Sequence, residues 1–534
     1  MAQVVCGSYF NLTLGLAGMQ FIWTVELGYG TPYLISLGMS KDLLPLVWVA
    51  GPLSGLLIQP MVGAYSDVST HRWGRRRPYI LAGSLLVLSS VFMVAHARWI
   101  ASRLLAWWSS TDNEDAALLN HIAIGIAVAG FFVLDFSINA VQACLRALVV
   151  DVASLSSQSR ANAWASRMLG IGSVIGYFVG YLDLVLLFPE LGSTQMEVLC
   201  AVGSIVFVAC IGWTCLMVWE ERYERGMDAE QPHWYKPLSD VFHAFWHLPD
   251  PMQRVCTTQF FAWMAWFPFL FYSTTWIIEV LMRDHEPTEP GFLDAATRAG
   301  SFALLLNALL SLFSSIFLPL FTGQAQAIAA KRRAHLSHRP SFGVVRRTCE
   351  ALLDGIIACW RLRGMWVLSN MGFAVLLFST WFARDVYEAT AIIALCGIPW
   401  AIVMWVPFAM VGEYLNVTNE EQRVIEYVPS PPPPLAGASD SPESDRREAT
   451  RLDTGTALGI INVYVVLPQF VSTLVSSVIF ALLSDPSKID HRNGDIVIDK
   501  DNEVVGWVLR FGGICALIAA VMAARCVQYD THRP

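Results

Sequence analysis

The chain has 534 residues, 55% of them hydrophobic and only 15% charged, with a mean hydropathy of +0.49. A soluble domain carries about 25% charged residues, so these figures exclude a soluble globular enzyme. The net charge of -8 comes from 43 acidic against 35 basic residues with no long basic tract, so nothing suggests a nucleic-acid partner and none is expected.

The apolar residues gather in blocks about 20 residues long, the length that crosses a bilayer core as an α-helix. In chain order they predict spans at roughly 9–35, 43–66, 79–97, 119–143, 164–187, 197–219, 255–280, 299–322, 364–381, 391–413, 454–483 and 504–524. The first block lacks the basic region and small-residue cleavage site of a signal peptide and reads as a span, not a leader. Twelve spans put both termini on one side. With the N-terminus in the cytoplasm, about 25 Lys and Arg fall in inside segments against 9 outside, which fixes that orientation by the positive-inside rule.

The predicted organisation is a six-helix half at 1–219, a cytoplasmic middle loop at 220–254 and a second six-helix half at 255–534. Within the second half, an inside loop at 323–363 carries Lys331, Arg332 and Arg333. A second inside loop at 416–453 holds the run Pro431 to Pro434 and reads as disordered. The halves rhyme weakly, Gln20-Phe21 then Trp23 against Gln259-Phe260 then Trp263. Two such halves around a midplane site are a transporter architecture. The eleven cysteines include no C-x-x-C pair or metal spacing and read as small apolar packing residues.

An ionisable group inside a span costs about 2.5 to 3.5 kcal/mol even on the lenient insertion scale, so each one kept needs a partner, a cavity or a task. Glu26 lies deep in the first span, near Gln20 and Trp23 on roughly one face, and is a candidate for sugar or proton contact. The turn after the second span, SDVSTHRWGRRRP, sets Asp67 beside Arg72, Arg75, Arg76 and Arg77. That group anchors the inner surface and is expected to form a cytoplasmic gate whose ion pairs break on opening.

The fourth span reads FFVLDFSINAVQACLRALVVD, with Asp135, Asn139, Gln142 and Arg146 at i, i+4, i+7 and i+11. This spacing stacks a carboxylate, two amides and a guanidinium on one helical face. Such a stripe suits hydroxyl recognition and proton handling; its structural alternative is an interhelical seam joining Asp135 to Arg146. In the seventh span, Trp263 and Trp266 precede Pro268, and Ser273, Thr274 and Thr275 follow it. Aromatic faces beside hydroxyls suit a pyranose, although such a span also serves for packing. Glu279 and Arg298 sit near outer span ends, where they can reach interfacial water.

The stretches GPLSGLLIQPMVGAYSD, RWGRRRPYI, LDFSINAVQACLRALVVD, SRANAW before GIGSVIGYFVG, WFPFLFYSTTW, GIPWAIVMWVPFAMVGE and ALGIINVYVVLPQ together resemble the sucrose transporter family. That family is the glycoside-pentoside-hexuronide cation symporter branch of the major facilitator superfamily, and the likeness is greatest to fungal sucrose or α-glucoside transporters. The resemblance implies an all-α membrane protein of twelve helices that carries a disaccharide by alternating access. The disaccharide is most readily sucrose, or else maltose or another α-glucoside, and a proton is the coupling ion without any cofactor. It implies that Asp135 accepts the proton next to the sugar, with Arg146, Asn139 and Gln142 in the same frame. Arg298 and Asn307 match polar positions of the eighth span, and Asn462 and Gln469 those of the eleventh. Where plant members often carry a histidine in the first outer loop, this chain has Lys41.

These readings give a proton-coupling pair, Asp135 and Arg146, and a sugar-binding set of Glu26, Gln20, Asn139, Gln142, Trp263, Arg298 and Asn462. The expected location is the plasma membrane ahead of the vacuolar one, with a sugar and the lipid bilayer as partners and a monomer sufficient. A phosphate loop is missing, so ATP drive is not expected. A non-transporting sugar sensor on the same fold would have to signal through the inside loops. A membrane enzyme would need a large loop rich in catalytic residues, and none has that content.

Overall fold

A computed structural model of the chain describes residues 6–67, 69–108, 116–153, 158–220, 248–284, 292–336, 359–427, 454–483 and 504–527. The elements among the described residues are helices. Twelve of them are long enough to cross a bilayer. In the first half these are α1 (Cys6–Ser36), α2 (Ala50–Asp67), α3 (Arg77–Ala95), α4 (Ala116–Val152), α5 (Gln158–Tyr181) and α6 (Gln195–Met217). In the second they are α7 (Asp250–Asp284), α8 (Phe292–Leu336), α9 (Leu362–Ser379), α10 (Gly397–Tyr427), α11 (Thr454–Leu483) and α12 (Val504–Ala524). The short helix Leu44–Val47 leads into α2, and Val386–Leu395 leads into α10.

Ten of the crossings are marked by length and hydropathy together. The other two, α1 and α5, carry polar groups such as Gln20, Glu26, Arg160 and Asn162, which lower their mean hydropathy. Several helices outrun their apolar blocks. α8 continues to Leu336 and α10 to Tyr427, so the predicted loops at 323–363 and 416–453 begin as helix, because helical propensity does not stop where hydropathy does. The proline run 431–434, and residues 221–247 of the middle loop, lie outside the described residues.

Local chemistry sets the ends that matter. Thr194 caps α6 in a reciprocal box: its hydroxyl accepts from the Glu197 amide at 3.2 Å while the Glu197 carboxylate accepts from the Thr194 amide. The arginine turn before α3 reverses at Gly74, whose φ of 103° lies in the left-handed region. Pro78 in the first turn of α3 then restarts the helix.

Each half packs its own core. The first is largely aliphatic, with Leu12, Ile138, Val141, Leu145 and Leu148 no more than 1% exposed. The second is built on aromatics, with Trp266 stacked on Phe373 at 3.7 Å. Trp48 comes from the first half and is buried in the second core, stacked on Phe271 at 4.9 Å and 5°. Large apolar side chains that stand outward, such as Leu85, Ile205 and Leu474, each more than 60% exposed, form the surface that meets hydrocarbon.

Small residues let helices close on one another. A Cβ on Gly172 of α5 would stand 2.5 Å from the Ala17 carbonyl oxygen of α1, a backbone atom that cannot turn away. By contrast, Gly125 on α4 faces open space. Gly172→Ala is expected to separate α1 from α5 at a cost of about 1 to 3 kcal/mol, read as a fall in the melting temperature of the detergent-solubilised protein. Gly125→Ala is the control. Equal melting temperatures for the two would refute the close-approach account.

Candidate functional site

The polar stripe of α4 lies inside the first half, against α1 and α2. Asp135, Asn139 and Gln142 are 5%, 6% and 3% exposed. Asn139 Nδ2 donates to Ser54 Oγ at 2.7 Å and to the Asp135 backbone oxygen at 2.8 Å, and its Oδ1 accepts from Gln59 Nε2 at 2.7 Å. Gln59 Nε2 also donates to Gln142 Oε1 at 2.9 Å. The amides of α4 are therefore held by α2, through two residues that the reading by helical period left aside. Ser54 and Gln59 carry no charge, and their own helix gives no stripe to mark them.

Glu26 of α1 is 4% exposed and is an electrostatic neighbour of Asp135, and its Oε2 is buried without a hydrogen-bond partner. Arg146 does not join Asp135. Eleven residues of helix rise about 16 Å, and Arg146 stands exposed near the end of α4 with no hydrogen bond or ion pair among the described residues. The expected Asp135 and Arg146 pair is thus not formed among the described residues, because a shared helical face fixes direction but not reach.

The other expected contacts divide between the two ends of the bundle. Links between the halves lie at the end away from the arginine turn. Thr31 Oγ1 donates to the Phe271 oxygen at 2.9 Å, Lys41 pairs with Glu279 at 2.7 Å, and Arg298 pairs with Asp183 at 3.2 Å. Gln469 Nε2 donates to the Trp48 oxygen at 3.0 Å, and Ser477 to the Asp42 oxygen at 2.7 Å. Arg298 is accordingly part of a closed mouth, and Asn307 binds the Ile393 oxygen within its own half at 2.8 Å. Toward the arginine end, Arg146 and Asn462 are exposed, and Gln20 is half-buried; none of the three has a polar partner among the described residues. Trp263 packs on Phe267 and, edge to face, on Trp400 at 5.9 Å, leaving its Nε1 without a partner.

The arginine turn is knit into one half. Arg76 reaches Asp151 at 2.8 Å, Ser66 Oγ at 2.5 Å and the Asp67 carboxylate, and its amide donates to Glu220 at 2.8 Å. Burial works against its charge, but the carboxylates of Asp151 and Asp67 outweigh it and hold the guanidinium above its ordinary pKa. Arg75 pairs with Asp151 at 2.6 Å, Arg77 binds the Cys215 carbonyl and lies over Trp219, and Arg72 lies over Trp73. The expected gate across the mouth meets a different arrangement: these partners tie α2, α3, α4 and the end of α6 together and leave the second half untouched. The Arg76 side chain is 5% exposed, and breaking a buried pair costs about 3 to 5 kcal/mol. Arg76→Gln is expected to cut the yield of folded protein sharply while Arg72→Gln does not; comparable yields would overturn this role.

The links at the closed mouth are weaker. Glu279 is 7% exposed but Lys41 is 20%, and Arg298 and Asp183 are 24% and 43%. Pairs this open are worth about 0 to 1 kcal/mol each. Lys41→Gln combined with Arg298→Gln is expected to speed labelling of a cysteine placed at Thr31 several-fold, using an impermeant maleimide. Unchanged labelling would mean that the apolar contacts close the mouth alone.

Comparison with known proteins bears on the fold and the family. The model of the PUCC protein family matches residues 42–249. The general alpha-glucoside permease of Schizosaccharomyces pombe is 32% identical over 555 residues, covering 95% of this chain and 91% of its own. The sucrose transport protein SUT1 of Oryza sativa subsp. japonica is 29% identical, covering 74% of each chain. Among solved structures, a proton-dependent oligopeptide transporter superposes with a TM-score of 0.56 at 11% identity over 98% of both chains. A D-xylose-proton symporter does so at 0.51 and 14%, over 98% of this chain and 99% of its own. These two show the fold alone. The alpha-glucoside permease match, over nearly the full length of both chains, places this chain in the sucrose and α-glucoside transporter family, with the twelve-helix major facilitator fold, a family of membrane permeases and not of enzymes.

Proposed function

We propose that the chain imports a disaccharide together with a proton by alternating access, taking sucrose first and maltose-type α-glucosides second. The observation that carries this reading is the buried Asp135, held in a membrane helix beside two fixed amides, above an end of the bundle where the halves are unlinked by the contacts described. A buried carboxyl of this kind is a functional site by default. The positive-inside orientation puts the arginine end in the cytoplasm, so the conformation is inward-open, and it places both termini inside. The names of the two relatives supply the sugar class.

In this scheme the sugar enters when the halves rock apart at the Lys41, Thr31 and Arg298 mouth, and it leaves past Arg146. The groups free to meet its hydroxyls are Arg146, Asn462 and Gln20, with the Trp263 and Trp400 faces for its C–H surface. Asn139 and Gln142 are engaged with α2, and their task is to hold the α4 stripe in register with Asp135. Asp135 takes a proton from the acidic exterior and gives it up to the cytoplasm, and the plasma membrane supplies the gradient that this requires.

Labelled sucrose and maltose uptake in a transport-deficient yeast, at two external pH values, tests the reading. Wild type is expected to accumulate sugar against its gradient, more at the lower pH. Asp135→Asn is expected to reach the membrane and to exchange internal for external sugar, but to lose accumulation. Full accumulation by that variant would remove Asp135 from the proton path, and pH-independent wild-type uptake would refute symport.

A further inference from the structure

We propose that Gln469 of α11 is a positioning residue of the symport, shutting the outer water path to Asp135 whenever the mouth is closed, so that the carboxyl meets one side of the membrane at a time. This rests on the symport reading and deepens it. The two residues belong to different halves, yet they border one space. A Cβ on Gly51 of α2 would stand 3.1 Å from Gln469 Nε2, 3.8 Å from Gln469 Oε1 and 3.7 Å from Asp135 Oδ1. Glycine at this place therefore lets an amide of the second half come up beside the carboxyl of the first, as small residues do between membrane helices.

The amide is held where it stands. Gln469 is 8% exposed, and its Nε2 donates to the Trp48 oxygen at 3.0 Å. The Trp48 ring, 2% exposed, closes the same space from the outer side: it stacks on Phe271 of α7 and lies 5.8 Å from Phe131, one turn from Asp135 along α4. A Cβ on Gly30 of α1 would stand 2.6 Å from Trp48 Cη2, so the ring fills its slot. Outward along α11, Ser477 donates to the Asp42 oxygen at 2.7 Å. One turn inward, Val466 Cγ2 would lie 3.5 Å from a Cβ on Gly55 of α2. The seam between the halves thus runs from the mouth to the turn beyond Gly51, with Gln469 as its polar member beside Asp135.

An uncharged amide suits this task. A charged side chain would add its own cost within the bilayer, whereas glutamine binds a carbonyl without charge and keeps a second N–H. Around the carboxyl, α1 brings Glu26, α2 brings Ser54 and Gln59 to the stripe, and α11 brings Gln469. When the halves rock apart at the mouth, Gln469 leaves with α11 and Asp135 takes its proton from outer water. When they close, the amide returns before the proton passes to the cytoplasm. Truncating it would leave a polar gap beside Asp135 roomy enough for water, and the carboxyl would then relay protons across the closed mouth without sugar.

Purified protein in liposomes enclosing a pH-sensitive dye tests this, with proton entry followed under an acid outside. Wild type is expected to admit protons with sucrose or maltose and to stay tight without sugar. Gln469→Ala is expected to admit protons without sugar several-fold faster than wild type, and Gln469→Ala combined with Asp135→Asn is expected to be tight again. A tight Gln469→Ala overturns the proposal. So does a leak that survives Asp135→Asn, because a mouth that is merely loosened passes protons without the carboxyl. Wild type that admits no protons with either sugar defeats symport itself, whereas wild-type symport beside a tight Gln469→Ala defeats only the seal. If Gln469→Ala fails to fold, Gly51→Val keeps the glutamine but occupies its seat. The same leak, again closed by Asp135→Asn, is then expected, and a tight Gly51→Val overturns the proposal.

Discussion

The bilayer interior offers no water to an ion, and the inner surface of this bundle is organised around that fact. A charge at the centre of a span costs about 2.5 to 3.5 kcal/mol or more, and the polar groups of α4 descend in order of that cost. The carboxyl of Asp135 lies deepest; the amides of Asn139 and Gln142 come next and are bonded to α2; the Arg146 guanidinium stands at the open end. A helix that carried these four groups in the reverse order would bury its one permanent charge and expose the group that can shed its own.

The two halves divide the remaining work by composition. The aliphatic first core holds the titratable groups in a fixed cage, where close packing transmits small displacements from α1 to α4. The aromatic second core presents flat surfaces, among them the edge-to-face pair Trp263 and Trp400. Trp48 joins the two: it begins the path into α2, the helix that holds the α4 amides, and ends stacked on Phe271 in the other core. Closure of the mouth is thus connected through packed side chains to the stripe that carries Asp135.

Much of this was legible in the sequence and the illegible part has one cause. Block length marked the helices, including α1 and α5, whose polar residues dilute their hydropathy. The 3.6-residue period aligned Asp135, Asn139 and Gln142 on the face they share. What periodicity cannot supply is the neighbour across a helix interface, which depends on rotation and tilt. Ser54 and Gln59 were missed for that reason, as were the pairings of Lys41 with Glu279 and Arg298 with Asp183. The helices beyond residues 322 and 415 were missed differently, since polar helix and polar loop have the same hydropathy.

The placement of strong and weak ion pairs follows from what a rocking bundle has to do. The arginine turn concentrates its contacts in one half: Arg76 alone binds Asp67, Asp151 and Ser66 with a side chain nearly sealed from solvent. Losing such a network on every cycle would add several kcal/mol to the barrier, and at about 1.4 kcal/mol per factor of ten this would stall transport. The half therefore moves as a body. The pairs across the mouth, Lys41 with Glu279 and Arg298 with Asp183, keep at least one partner a fifth or more exposed, so water takes over their hydrogen bonds as they part. Such pairs fix the register of the closed state while adding little to its depth. A shallow closed state is the requirement for alternating access, because the binding free energy of the transported sugar must be enough to move the bundle between its two mouths.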